Sequence, residues 1–138
     1  MKRILSLLAA LLLVLFVLGC SEDEESNPVN PSNPTVSGSW NGVSKLLGIE
    51  VVWVDTDLSQ SGNSVSGSAK LVQITAIADT LNCSVSGNNN YPNVSLTFQP
   101  SGLYQPMTFT GSFATKDSLS GKLNGSGASN WDMTFVRQ

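Results

Sequence analysis

The 138-residue sequence contains no histidine, and this absence excludes several kinds of chemistry. Histidine is the commonest general base, the usual zinc ligand and the partner of the nucleophile in Ser-His and Cys-His pairs. Charged residues are also few, at 12% of the chain, and between Val36 and Gln138 five basic residues nearly balance six acidic ones. That balance leaves no basic surface for nucleic acid. We therefore expect a non-catalytic protein that has no cofactor and binds no nucleic acid.

Thiols and close acidic pairs are scarce as well. The two cysteines are Cys20 and Cys83, and Cys83 occupies an apolar position of an alternating stretch, which predicts a small buried side chain rather than a reactive thiol. Asp55 and Asp57 are close in sequence and share one face of a strand, but the residues around them do not follow a calcium-loop pattern. A solvated strand end is favoured there, and no metal site is predicted.

Long apolar runs are confined to the N-terminus. Lys2 and Arg3 precede an apolar stretch over residues 4–18, which has the form of a secretion signal. A permanent transmembrane helix needs about 20 apolar residues, so a stable span is the weaker interpretation. The sequence predicts a signal peptide over residues 1–19.

The end of this stretch, Val17-Leu18-Gly19-Cys20, resembles the lipobox of bacterial lipoproteins. The resemblance implies that Cys20 is acylated on its sulfur and becomes the mature N-terminus. It also implies that this N-terminal lipid anchors the protein in the outer membrane of the bacterial cell envelope.

The acylation site is followed by a serine and four acids: Ser21, Glu22, Asp23, Glu24 and Glu25. This stretch is similar to the export signal of surface lipoproteins in Bacteroidetes-type bacteria, and the alternative is a solvated acidic spacer. Prolines at positions 28, 31 and 34 then favour an extended polyproline II segment. We divide the chain into a signal peptide (1–19), a tether (20–36) and one folded domain (37–138).

The folded domain is predicted to be all-β. No window after residue 20 has a sustained helical period, whereas two-residue alternation recurs between glycine, asparagine, serine and proline turns. Closing eight consecutive antiparallel strands removes both sheet edges, so an up-and-down barrel is expected, with a two-sheet sandwich as the alternative. The predicted strands cover residues 38–45, 49–60, 64–76, 79–86, 93–99, 107–114, 118–124 and 129–137.

Two elements at opposite ends of the domain carry a family resemblance. Gly38-Ser39-Trp40 opens the first strand, and Arg137 ends the alternating series Trp131, Met133, Phe135 and Arg137 of the last. The pair is similar to the calycin superfamily, which includes lipocalins, fatty-acid-binding proteins and avidins. The resemblance implies a barrel in which the guanidinium of Arg137 packs across the indole of Trp40 and closes one end.

The interior of such a barrel is either filled by side chains or hollow enough for one small ligand. Large rings are predicted to point inward, but glycines 67, 111 and 121 and Cys83 share their faces. We therefore expect an apolar pocket larger than roughly 300 Å³ at the end away from Trp40. A small apolar or amphipathic ligand would then bind inside, and the alternative is a filled barrel that serves as an interaction, inhibitor or structural protein. The candidate ligand-binding residues are Trp53, Phe98, Phe109 and Tyr104.

Overall fold

The computed structural model describes residues 33–73 and 79–138, and within them eight antiparallel strands form one closed barrel. Each strand pairs with the next, and the last pairs with the first. The predicted all-β barrel is confirmed, and the sandwich alternative is not. The strands are β1 (Gly38–Leu46), β2 (Ile49–Ser61), β3 (Ser64–Gln73), β4 (Asp79–Asn90), β5 (Asn93–Pro100), β6 (Met107–Thr115), β7 (Ser118–Gly125) and β8 (Ala128–Arg137).

The strand boundaries follow the predicted ones except at β3 and β4. β3 is described to Gln73, and the predicted continuation to residue 76 lies outside the described residues. β4 runs to Asn90, four residues beyond the predicted end, because Asn88 and Asn89 pair with Ser95 and Val94 of β5. The side chain of Asn89 is buried and donates to the Oε1 atom of Gln60 at 3.0 Å. This burial holds an asparagine-rich stretch in a strand where turn chemistry alone predicts a loop.

The core occupies the inside of the barrel because alternate residues of every strand point inward. The largest fully buried side chains are Trp40, Phe98, Phe109 and Phe135, and each is at most 1% exposed. Aliphatic residues and two methionines, Met107 and Met133, fill the space between them. Inward alternation thus places most of the domain's aromatic surface away from water, where burial stabilises a small domain most.

Glycines allow the strands to bend tightly around this core. A Cβ atom on Gly67 would overlap the carbonyl oxygen of Asp57 in the neighbouring strand, and one on Gly87 would overlap that of Ser95. Backbones approach this closely only where a side chain is missing, as at the corners of small barrels. Gly67 and Gly87 therefore allow neighbouring strands to approach closely at these two positions.

The segment before β1 is part of the folded unit, which begins at Asn33. Val36 is fully buried in the core, and its backbone N–H donates to Gln60 Oε1 at 2.9 Å. The carbonyl of Pro34 accepts a hydrogen bond of 3.0 Å from Asn89. Residues 33–36, which the predicted tether of residues 20–36 includes, are thus attached to the barrel by the buried Val36 side chain, by Gln60, which accepts from the Val36 N–H, and by Asn89, which donates to the Pro34 carbonyl.

The remaining N-terminal predictions lie outside the described residues. They are the signal peptide of residues 1–19, acylation of Cys20, and the export signal of Ser21, Glu22, Asp23, Glu24 and Glu25. Within residues 33–73 and 79–138, no helix is long and apolar enough to span a membrane.

Candidate functional site

The interior of the barrel is filled where the sequence predicts a ligand. Phe109 meets Phe135 edge to face with ring centroids 5.1 Å apart, and Phe98 stacks on Phe135 at 6.1 Å. Both Phe98 and Phe109 are fully buried among core residues. As candidate ligand-binding residues they lie where predicted, inside the barrel, but both rings pack on Phe135.

The space beside the inward glycines is also occupied. A Cβ atom on Gly111 would lie 2.5 Å from the Cζ atom of Phe109, and one on Gly121 would lie 2.8 Å from its Cε2 atom. At the barrel end away from Trp40, the described side chains of Val52, Leu71 and Met107 are at most 1% exposed. The hollow end predicted from the glycines is therefore wrong for the described part of the chain, because the Phe109 ring occupies the space beside Gly111 and Gly121 and the backbone of Asp57 occupies the space beside Gly67.

Arg137 closes the opposite end of the barrel. Its guanidinium carbon lies 4.3 Å from the centroid of the Trp40 ring, and the two residues are direct neighbours across β1 and β8. The Nη1 and Nη2 atoms donate to the carbonyls of Ser37 and Thr35, and Nε lies 3.3 Å from Asp117 Oδ1. A Cβ atom on Gly38 would lie 2.9 Å from Nη1, so the glycine leaves room for the guanidinium. The three predicted closure residues are thus brought together.

Trp53, predicted to point inward, lies instead on the outer face and is 43% exposed. Its direct neighbours across the sheet are Val43 of β1 and Val72 of β3. The indole N–H donates to Glu50 Oε2 at 3.0 Å. The interior placement is wrong because Val51, Val52, Trp53 and Val54 are all apolar, and the alternation that distinguishes the faces is hidden there.

A row of polar side chains crosses the outer face of β1–β4 beside Trp53. Asn41 pairs with Asp55, Asp55 with Lys70, and Lys70 with Asn82, so the four residues are consecutive cross-strand neighbours. All four are exposed. Among the described residues, none of these side chains makes a hydrogen bond or an ion pair with another group of the protein. We call Asn41, Asp55, Lys70 and Asn82 the polar row.

Two open cavities lie on the outer wall at the polar row. The first, of about 510 Å³, contains the polar row together with Ser39, Asp57 and Ser68 of the adjacent row, and Ser39 Oγ donates to Asp57 Oδ1. The second, of about 460 Å³, lies over β8, β1 and the start of β2 and is lined by Val43, Val136 and Thr134 among others. Asn41 belongs to both cavities. The outer wall therefore carries two adjacent cavities, and Asn41 lies at their border.

Exposed apolar side chains also lie in or next to the loops at the barrel end away from Trp40. Leu47, in the turn between β1 and β2, has φ of 53° and is 95% exposed. Ile49 beside it and Leu103 in the loop between β5 and β6 are exposed too. Tyr104 lies in that second loop and is about half exposed, so the fourth candidate ligand-binding residue is at the rim and outside the core.

Cys83 and the acidic pair have no special chemistry in this arrangement. Cys83 is a buried free thiol, and burial raises its pKa above the ordinary value. A thiol with a raised pKa is a poor nucleophile. Within the described ranges, no group of three or more histidine, cysteine, aspartate or glutamate side chains is arranged to hold a metal ion. Asp55 and Asp57 lie in mid-strand in β2, so the predicted solvated strand end is wrong, although both carboxylates do share one face.

Comparison with known proteins bears on the fold alone. No family model matches the chain, and no curated protein matches it. Among solved structures it is similar to a de novo designed fluorescence-activating β-barrel. The TM-score is 0.55 with 13% sequence identity, over 74% of this chain and 93% of the designed one. The likeness is one of fold. It places this chain among small closed barrels and assigns no ligand.

Only some residues of the outer site could be identified from the sequence. The shared parity of Trp53, Asp55 and Asp57 was a usable signal, because two carboxylates on one face mark that face as solvent-exposed. Asn41, Lys70 and Asn82 were not singled out. Their spacing along the chain follows no motif, and only the register of four strands brings them into one row.

Proposed function

We propose that this chain is a lipid-anchored, non-catalytic binding protein of the bacterial cell envelope that binds through the outer wall of its barrel. The observation that carries the proposal is the polar row, whose four exposed side chains are unpaired with other described groups and line a cavity of about 510 Å³. The core supports it, because Phe98 and Phe109, two of the residues predicted to surround a ligand, pack on Phe135 instead. The polar row and Trp53 therefore form the surface best suited to a ligand.

Anchoring in the outer membrane rests on the resemblance of Val17-Leu18-Gly19-Cys20 to a lipobox. Burial of an acyl chain contributes about 0.8 kcal/mol per methylene, and stable attachment needs two or more chains. The buried Cys83 thiol has a raised pKa, so it competes poorly for modification. Cys20 is the cysteine to which we assign the lipid.

A second candidate function is binding of a small apolar or amphipathic ligand inside the barrel. It is favoured by the arrangement of Gly38, Trp40 and Arg137, which is similar to the closed end of calycins. The fully buried rings of Phe98 and Phe109 weigh against it, because a ligand there would have to displace side chains from a close-packed core. Titration with oleate separates the two candidates, since saturable binding of one molecule per chain would favour the interior.

The anchor can be tested by metabolic labelling of the host with radioactive palmitate. The wild-type chain should incorporate the label, Cys20→Ala should not, and Cys83→Ala should incorporate it as the wild type does. Labelling that persists in Cys20→Ala would contradict the lipoprotein assignment.

Neutral replacements of Glu22 to Glu25 should, in addition, reduce access of external protease to the chain on intact cells if these acids direct export to the surface. Unchanged access would make them a spacer.

The outer-wall function can be tested with a photo-crosslinking amino acid introduced into the full chain in living cells. At Ser68, which lines the cavity beside the polar row, we expect a covalent adduct after illumination. Trp53→Ala in the same chain should reduce its yield strongly. The matched control is Thr110, an exposed position of β6 on the other wall of the barrel, where no such adduct is expected. Absence of an adduct at Ser68, or equal yields at both positions, would contradict the proposal.

A further inference from the structure

We infer that the outer wall binds a neutral carbohydrate, with one sugar ring stacked on Trp53 and its neighbours bound along the polar row. This inference rests on the proposed outer-wall function and names its ligand class. A sugar ring has an apolar C–H face and a rim of hydroxyl groups, and each hydroxyl both donates and accepts hydrogen bonds. A matching site needs one exposed aromatic ring beside several unpaired donors and acceptors.

The polar row supplies both donors and acceptors along its length. Asn41 and Asn82 each carry an amide that donates and accepts, Asp55 only accepts, and Lys70 only donates. Adjacent strands lie about 4.8 Å apart, so four consecutive strands spread these groups over about 14 Å. Asp57 and Ser68 in the next row extend the polar surface. Such a line of mixed groups suits the hydroxyls of a short oligosaccharide better than it suits one small molecule.

Trp53 supplies the stacking surface. Trp53 and Asp55 are two residues apart on the same face of β2, which separates their Cα atoms by about 6.6 Å along the strand. The hydrogen bond from the indole N–H to Glu50 restricts rotation of the ring, and Val43 and Val72 flank it on the neighbouring strands. An ordered, half-exposed aromatic ring loses little conformational entropy when a ligand covers it. The ring is therefore prepared for contact at the border of the polar row.

The charge of the site disfavours anionic ligands. The larger cavity contains two carboxylates, Asp55 and Asp57, and one ammonium, Lys70. In the second cavity the two carboxylates, Glu50 and Asp132, are paired with Lys45 and Lys122, so the excess of negative charge belongs to the larger cavity. Phosphate groups or acidic sugars would be repelled by this excess of negative charge. Neutral hydroxyl groups are compatible with it, because carboxylates accept strong hydrogen bonds from them.

The closed topology disfavours an extended peptide. Peptides commonly bind a sheet by adding a strand to a free edge, where backbone hydrogen bonds provide affinity. In this barrel β1 pairs with β8, so the described sheet offers no such edge. A ligand on the outer wall must be recognised by side chains alone. The two adjacent cavities, which share Asn41, further favour a chain-like molecule.

The inference is tested by affinity electrophoresis of the full chain, in detergent micelles, through gels containing soluble xylan, galactomannan or mixed-linkage β-glucan. We expect at least one of these neutral polysaccharides to retard the protein. Trp53→Ala and Asp55→Ala should each weaken binding about tenfold, and Trp53→Phe should retain part of it. Two variants serve as matched controls that should leave retardation unchanged: Tyr104→Ala removes an exposed ring at the rim, and Thr110→Ala removes an exposed polar group from β6 on the other wall. Retardation by none of the three, or equal retardation of wild type and Trp53→Ala, would overturn the inference.

The crosslinked adduct at Ser68 distinguishes this inference from the broader proposal. Periodate oxidises vicinal diols to dialdehydes, and borohydride reduction followed by mild acid then hydrolyses the opened sugar units, so a carbohydrate adduct should lose most of its added mass after these three steps and should yield no foreign peptide after trypsin digestion. The opposite pattern would identify a protein partner. That result would overturn the carbohydrate inference while leaving the outer-wall function in place.

Discussion

Phe109→Ala is expected to destabilise the barrel by about 3 to 5 kcal/mol, the usual cost of removing a large ring from a packed core. The ring is fully buried, meets Phe135 at 5.1 Å and occupies the space beside Gly111 and Gly121. Gly111 and Gly121 have no side chain that could refill the cavity on their side of the ring. The free energy of unfolding in urea should report this loss.

The same variant tests how full the interior is. An apolar cavity left by a ring stays dry and can take up benzene or xenon, so Phe109→Ala should be stabilised by benzene and the wild type should not. Phe113→Ala is the matched control. Its ring is half-buried and packs on Tyr91 at 5.8 Å, so the loss should be smaller. If benzene stabilises the wild-type chain to the same degree, the core already contains a usable pocket and the ligand-in-barrel candidate gains.

Arg137→Ala should lower the free energy of unfolding by about 2 to 4 kcal/mol. The substitution removes the cation over Trp40, leaves the carbonyls of Ser37 and Thr35 without their donor, and breaks the ion pair with Asp117. A cation–π contact contributes about 0.5 to 2 kcal/mol, and hydrogen bonds to a charged group contribute about 1.5 to 3 kcal/mol. The ion pair adds little because the carboxylate is about half exposed.

Arg137→Lys separates the charge from the geometry of the guanidinium. Lysine keeps the positive charge but cannot stack as a plane while donating to two carbonyls, so only part of the stability should return. Emission of the buried Trp40 indole should change in both variants, because the group above its ring changes. If Arg137→Ala left the free energy of unfolding unchanged, β1 and β8 would be held together by backbone pairing alone. The contact between Arg137 and Trp40 would then contribute nothing to stability.

The outer site shows where sequence patterns fail. Asp55 and Asp57 share the parity of Trp53, which favours the outer face for the tryptophan, although Trp53 was predicted to point inward. The continuous apolar run from Val51 to Val54 argued against the outer face, since buried strands also have apolar residues on both faces. The conflict is settled by pairing: β2 has an irregularity opposite Ser44 and Lys45, and beyond it Trp53 is fixed beside Val43 on the outer face.

The closing contact among Gly38, Trp40 and Arg137 was implied by a family resemblance, whereas local patterns in the sequence were enough to predict the fold class and the number and order of the strands. These depend on local alternation, turn chemistry and the closing of sheet edges, all of which are written in consecutive residues. Only the tertiary structure decided that the interior is full and that the polar row exists. Cavity volume depends on how rings such as Phe109 fit beside glycines of other strands. The row depends on cross-strand register, and a slip of one residue would turn Asp55 or Lys70 to the other face.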